Sequence, residues 1–197
     1  MRSSGSRFEA TTALGAAMKL RRPPYPDVVG TAGYYWVHAG HRKTAINMAI
    51  EVIRQAAANE LSTTTDDPFA RDLTGIMRDW AIESLIQGAW VREYHMWERD
   101  TKDYFDGHYV RNGGEKVNWR ASRSSHVAKV IAQLEFLSAS VPSELLTVIN
   151  EARKRVNIVK HEADDFATEA DYKALATAVA SFWETLAPQE EFTPPKG

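Results

Sequence analysis

Apolar residues between Leu145 and Phe166 follow one another at alternating steps of four and three positions. In an α-helix this spacing brings all of them to one face, which is the a/d pattern of a helix seated in a bundle. The residues of this apolar stripe are Leu145, Ile149, Ala152, Val156, Val159, Ala163 and Phe166. The pattern predicts a helix whose inner face packs against other helices.

Four other segments carry helical patterns, and none of the chain alternates convincingly like a strand. Asp67 precedes a proline and is a candidate N-cap, and Thr168 with Asp171 resembles a capping box. The predicted helices are 41–61, 68–105, 122–138, a fourth that begins near 143 and contains the stripe, and a fifth that begins after 168. The fold is therefore predicted to be all-α, an antiparallel bundle of about five helices.

The second predicted helix is the longest, and its apolar residues are expected to form one buried face that ends near Gly107. His95 and Glu98 are three positions apart and could share a metal, but bundle di-metal sites take Glu-x-x-His units from two helices. We therefore expect no metal there. The residues expected to be buried are Phe69, Leu73, Ile76, Met77, Trp80, Trp90, Tyr94 and Trp97, and those expected at the solvated edge are Glu93, His95, Arg99 and Asp100.

The composition excludes several classes of protein. A length of 197 residues suits one domain with a sizeable core, and the absence of cysteine excludes disulfides, thiolate zinc sites and a cysteine nucleophile. No glycine-rich phosphate loop and no Gly-x-Ser-x-Gly motif is present. The formal net charge of −2 gives no overall attraction to nucleic acid or anionic membranes, so any such attraction must come from a local basic patch.

The ends of the chain differ in composition from its centre. Residues 1–40 are predicted to form a partly irregular N-terminal extension, 41–188 the helical bundle, and 189–197 a flexible tail, because prolines interrupt both ends. No apolar run approaches the roughly 20 residues of a transmembrane helix, and the N-terminus lacks the apolar region of a signal peptide. The expected location is the cytoplasm, without membrane contact.

The fourth predicted helix carries a polar ridge opposite its apolar stripe, because each residue rotates by about 100° around the axis. Four cations lie on this helix within a short span, and they offer a surface for phosphate groups. The cations are Arg153, Lys154, Arg155 and Lys160, and the ridge consists of Asn150, Arg153, Lys154, Asn157, Lys160, His161 and Asp164.

Arg155 precedes His161 by six positions, with Asn157 between them and Lys160 next to the histidine. This arrangement resembles the HEPN superfamily, compact helical bundles whose ribonuclease members carry Arg-x(4–6)-His late in the domain. The resemblance implies a homodimer that brings two motifs together and cuts RNA without metal or cofactor. It implies His161 as the acid and base, Arg155 as the cation at the phosphate, and Asn157 as a positioning residue. The other expected RNA contacts are Arg153, Lys154 and Lys160.

Two features of the motif leave alternatives open. On a straight helix Arg155 lies about 120° from His161, whereas Arg153 lies nearer to the histidine's face, so either arginine could fill the role. Arg120 and His126 match the same pattern near the start of the third predicted helix, without the asparagine. An arginine and a histidine that point apart on one chain fit a site that two protomers build together.

Cleavage of RNA by its own 2′-hydroxyl needs a group that moves protons near neutral pH and cations that stabilise the developing phosphorane charge. A histidine on a basic ridge meets the first need. The resemblance to the HEPN superfamily, with which this chemistry agrees, implies an endoribonuclease in a toxin or anti-phage role with an antitoxin or regulatory protein as partner. The alternative is a non-catalytic helical module for dimerisation, nucleotide binding or partner recruitment.

Overall fold

The computed structural model describes residues 30–63, 67–112, 117–120, 124–159 and 167–190. These residues fold into five helices and contain no strand, which confirms the predicted all-α bundle. The helices are α1 (Ala32–Thr63), α2 (Pro68–Asn112), α3 (His126–Phe136), α4 (Ser143–Val159) and α5 (Glu169–Leu186), and a 3₁₀ turn (Ala187–Gln189) follows α5. None of the described helices combines the length and the apolar character that a membrane crossing requires.

Helix α5 forms the centre of the bundle and packs against α1, α2 and α4. Its large side chains are almost completely buried, and their rings contact the neighbouring helices at short distances. The Phe182 ring lies 5.7 Å from Trp97 of α2, and the Trp183 ring lies 4.8 Å from Tyr35 of α1. The predicted capping box begins this helix: the Thr168 hydroxyl accepts from the Asp171 amide, and the Asp171 carboxylate accepts from the Thr168 amide.

Helix α1 begins at Ala32, nine residues before the predicted start at His41. Its first amides are satisfied by side chains, because Ala32 donates to the Glu190 carboxylate and Tyr34 donates to the Thr31 hydroxyl. Tyr35 is buried against α5, so the aromatic segment that was assigned to the N-terminal extension is a helical part of the bundle.

Helix α2 is also longer than predicted, since it continues through Gly107 to Asn112. A single glycine costs a helix only about 1 kcal/mol, and packing around it outweighs that cost. Phe105 is completely buried just before the glycine, and the Trp119 indole donates to the Asp106 carboxylate at 3.0 Å.

The predicted burial of α2 is wrong for its first half. There, five large apolar side chains are exposed, from 45% for Leu73 to 74% for Phe69. The buried core ends at Ile50 on α1 and at Ile86 on α2. Helix α2 has 45 residues and α5 has 18, and α1 borders this outer part of α2 without covering these five side chains. The exposed side chains are Phe69, Leu73, Ile76, Met77 and Trp80.

Candidate functional site

Helix α4 is held in the bundle by the inner face that the sequence predicted. Ile149, Ala152 and Val156 of the apolar stripe are buried, and α4 packs mainly against α5. Its outer surface carries the predicted ridge: Lys154 and Asn157 are exposed, and Arg153 is half-buried. The stripe residues Ala163 and Phe166 and the ridge residues Lys160, His161 and Asp164 lie outside the described residues.

Arg155 joins three helices. Its guanidinium carbon lies 5.2 Å from the ring centroid of the buried Trp90 on α2, and its Nη1 atom lies 3.0 Å from Asp171 Oδ1 on α5. A cation over an aromatic face and an ion pair on the same guanidinium both restrict its orientation. Glu151, four residues before Arg155 on the same helix, pairs with Lys154 at 2.6 Å.

Asp171 has two tasks, since the same carboxylate caps α5 and pairs with Arg155. Burial alone would raise the pKa of Asp171, but hydrogen bonds from the Thr168 amide and hydroxyl and from Arg155 outweigh burial and lower it. The carboxylate is therefore ionised at neutral pH, and its negative charge offsets the positive charge of Arg155.

A small cavity of about 200 Å³ opens beside Arg155 between α2, α4 and α5. Its walls combine the Trp90 ring and the Arg155 guanidinium with two acidic groups, Glu151 and Asp171. This volume is below the 300–1,000 Å³ of ordinary small-molecule sites. The cavity can accommodate a small group next to the guanidinium, but it cannot enclose a nucleotide.

Arg153 lies on the other side of α4, because two residues along a helix differ by about 200°. Its Nε atom donates to Asn150 Oδ1 at 3.1 Å. Nearby on α2, the Tyr94 hydroxyl donates to Glu98 at 2.8 Å. Burial and the Glu98 charge raise the pKa of Tyr94, whereas the Arg153 charge lowers it. The structure thus separates Arg153 from Arg155 and does not bring both to one site within a protomer.

His95 lies next to Tyr94 on α2, and its Nδ1 atom is 3.1 Å from Glu98 Oε2. Because the second Glu98 oxygen accepts from Tyr94, the pair is part of a hydrogen-bonded row along α2. Within the described part of the chain, no three His, Asp or Glu side chains are grouped so that they could hold a metal ion.

The structure corrects the prediction for Glu93 and Asp100, which are buried and not at a solvated edge. Arg42 of α1 binds Glu93 through two hydrogen bonds of 2.8 Å each and lies 3.5 Å from Asp100. Arg99 contacts the other Asp100 oxygen at 2.7 Å. The sequence contained a signal for this burial: the two acids continue the three-four spacing of the buried Trp90, Trp97 and Tyr104.

His126, in the second Arg-x-His match, has a packing role. Its ring stacks on Trp119 at 4.9 Å and meets Trp97 edge-on at 5.4 Å, and its Nε2 atom lies 2.7 Å from the Thr101 hydroxyl oxygen. Burial lowers the pKa of His126 to about 4, so the ring is neutral at physiological pH. These contacts account for His126 without a ligand.

Comparison with known proteins gives no relative for this arrangement. No family model matches the chain, and neither a curated protein nor a solved structure matches it.

Proposed function

We propose that the chain is a metal-independent endoribonuclease that acts as a homodimer, with His161 and Arg155 at its centre. The observation that carries the proposal is the fixed position of Arg155. It is held over Trp90 by Asp171 one turn before Val159, the last described residue of α4, and His161 follows two residues later in the sequence. A preoriented guanidinium loses little conformational entropy when it contacts a phosphate.

The exposed residues of α4 supply the binding surface of the proposed enzyme. Lys154 and Asn157 face outward, and the Lys154–Glu151 pair is an exposed ion pair of the kind that contributes about 0–1 kcal/mol. A phosphate can therefore replace Glu151 at small cost. With Arg153 and Lys160, these residues would contact the RNA backbone on both sides of the cleaved bond, independently of base sequence.

In the proposed reaction, His161 takes the proton of a 2′-hydroxyl, whose oxygen then attacks the adjacent phosphorus. The bond from phosphorus to the 5′-oxygen breaks, and that oxygen receives the proton that His161 took up. The guanidinium stabilises the negative charge on the phosphoryl oxygens. The products are a 2′,3′-cyclic phosphate and a 5′-hydroxyl, so atoms and charges balance without a metal.

A twofold arrangement fits a motif whose arginine and histidine point apart on a straight helix, because the arginine of one protomer can then act with the histidine of the other. The toxin or anti-phage setting, an antitoxin as regulatory partner and a cytoplasmic location remain parts of this proposal that rest on the resemblance to the HEPN superfamily.

Incubation of the purified protein with structured RNA in excess EDTA tests the proposal. We expect cleavage by the wild type, loss of cleavage in His161→Ala, and retained cleavage in the matched histidine control His41→Ala. Equal cleavage by wild type and His161→Ala would contradict the assignment of His161. Thermal unfolding of each variant shows whether a lost activity reflects a lost fold.

One observation favours the non-catalytic alternative. Arg155 already contacts both Trp90 and Asp171, and such a guanidinium can serve as a link between α2, α4 and α5 alone. In that case Arg155→Gln lowers the unfolding temperature, the wild type does not cleave RNA, and the chain acts as a dimerisation or partner-binding module.

A further inference from the structure

Helix α2 carries two apolar faces that point in different directions. The face that includes Ile86, Trp90 and Trp97 is buried in the bundle. In the first half of the helix, Phe69, Leu73, Ile76 and Trp80 follow one another at steps of four, three and four, and Met77 lies beside them. The rotation of 100° per residue places this exposed stripe roughly 120° from the buried face. Thus the exposed stripe cannot pack onto the same bundle.

The stripe belongs to a long projection, which we call the hairpin arm and define as residues 51–63 of α1 and 68–85 of α2. No described side chain of this arm is buried. At 1.5 Å per residue, the arm extends roughly 20–27 Å beyond the last core residues. Helices in proteins owe most of their stability to the burial of an apolar face, so a bare arm of this length lacks its main source of stability.

The exposed area matches that of half a dimer interface. With exposed fractions of 45–74% and about 200 Å² for each large side chain, the five residues present roughly 600 Å² of apolar surface. This is at the upper limit of the largest patches found on monomers. Two such patches placed face to face bury roughly 1,200 Å², the lower limit of a standard stable interface.

The spacing identifies the occupant as a second copy of the same helix. Steps of three and four are the a/d pattern of helices that interdigitate with a partner of the same kind. The stripe is the same surface on every copy of the chain, so two copies can pair about a twofold axis, as isologous interfaces require.

A groove of about 560 Å³ lies between the two helices of the arm. Ala58 and Leu61 of α1 and Ile82 of α2 give it an apolar lining, and Arg78 and Asp79 are among its charged residues. None of the five stripe residues lines this groove, so the stripe is a separate surface of the arm.

We infer that the hairpin arms of two protomers pair along Phe69, Leu73, Ile76, Met77 and Trp80 and form a four-helix dimer interface. The inference does not depend on RNA cleavage, because it uses no residue of α4. The two proposals therefore fail in different measurements. Failure of the arm interface appears in the mass of the particle in solution, and failure of the proposed function appears in the cleavage of RNA.

Light scattering after size exclusion tests the interface. We expect a dimer for the wild type at about 10 μM, and monomers for Leu73→Asp and Ile76→Asp, with the Kd raised roughly a hundredfold or more. The control is Phe136→Asp on α3, where the side chain is 67% exposed but lies away from the arm, and it should remain dimeric. A monomeric wild type at about 100 μM, or dimeric aspartate variants, would overturn the inference.

Crosslinking decides the question even if an aspartate variant unfolds. Because the chain has no cysteine, Ile76→Cys carries a single thiol at the centre of the stripe. A short bismaleimide should link two copies of Ile76→Cys but not two copies of Phe136→Cys. Absence of linked Ile76→Cys dimers would overturn the inference.

Discussion

At the scale of single residues, the chain places ionisable groups inside an aromatic core. Arg42 is half-buried and binds Glu93 and Asp100, both of which are almost inaccessible to water. Burial alone would lower the pKa of Arg42, but hydrogen bonds to Glu93 and the charges of Glu93 and Asp100 outweigh burial and raise it. Each buried charge therefore depends on its oppositely charged partner. Removal of one residue of a pair leaves the other charge buried without a partner.

We predict that Arg42→Met lowers the free energy of unfolding by about 3–5 kcal/mol, because Glu93 loses two hydrogen bonds and stays buried. Urea unfolding followed by circular dichroism measures the change. The control Lys173→Met breaks the exposed Lys173–Glu169 pair and should cost no more than about 1 kcal/mol. Equal effects of the two substitutions would show that the buried cluster contributes no more to stability than an exposed ion pair.

His126 predicts a dependence of stability on acidity. Its folded pKa of about 4 lies below the ordinary value of 6.5, so between these values the unfolded chain binds a proton that the folded chain does not. The contribution is complete above pH 6.5 and is lost as the pH falls towards 4, by about 3 kcal/mol in total. Urea unfolding at several pH values should show a shallower slope for His126→Gln than for the wild type. Parallel slopes would contradict the buried neutral ring.

The burial of Glu93 and Asp100 illustrates what local sequence could not reveal. Their spacing within the Trp90–Trp97 pattern indicated an inward direction, but acids are almost never buried without a partner. The partner Arg42 lies 51 positions away from Glu93, and only the packing of α1 on α2 brings them together. Sequence periodicity reports direction around one helix and not the side chains that another helix contributes.

At the scale of elements, sequence was most informative where the signal is local. The inward positions of Ile149, Ala152 and Val156 on α4 and the α5 capping box depend on residues within a few turns, and both were predicted correctly. The start of α1 and the end of α2 were missed, because burial of Tyr35 and Phe105 decides them. The predicted burial of Phe69 and Trp80 was wrong, because an apolar stripe does not specify which helix or which other chain packs against it.

The capping box gives an element-scale prediction. Thr168→Ala removes the hydroxyl that accepts from the Asp171 amide, so we expect a loss of about 1 kcal/mol in the free energy of unfolding. Thr147→Ala is a matched control, because the Thr147 hydroxyl only donates to the Ser143 carbonyl within α4. The difference between the two variants in chemical unfolding measures the cap. No difference would mean that α5 starts without help from Thr168.

At the scale of the whole molecule, the fold consists of a compact bundle and a projecting arm. The bundle holds Arg155 at α4, and the arm presents a second apolar surface far along α2. The fold class was predictable from helical spacing alone. The candidate site was predictable only as a motif, since its arginine and histidine point apart on a straight helix and the proposed site needs a second chain.

The composite site leads to a prediction about mixed dimers. Arg155→Gln and His161→Ala should each be inactive, but a heterodimer of the two contains one intact pair if the site uses arginine from one protomer and histidine from the other. We expect a random mixture to recover about a quarter of the wild-type cleavage rate. A mixture that is as inactive as its components would contradict a site shared in this way.

The chemistry of the cleaved ends tests the central claim most directly. Mass spectrometry of fragments from a defined RNA, cut in excess EDTA by the wild type, should show 2′,3′-cyclic phosphates and 5′-hydroxyls, since the 2′-oxygen is the proposed nucleophile. These fragments should be absent with His161→Ala. Fragments with 3′-hydroxyls and 5′-phosphates would instead require water as the nucleophile and would contradict the proposed mechanism, and intact RNA in every sample would contradict the proposed activity.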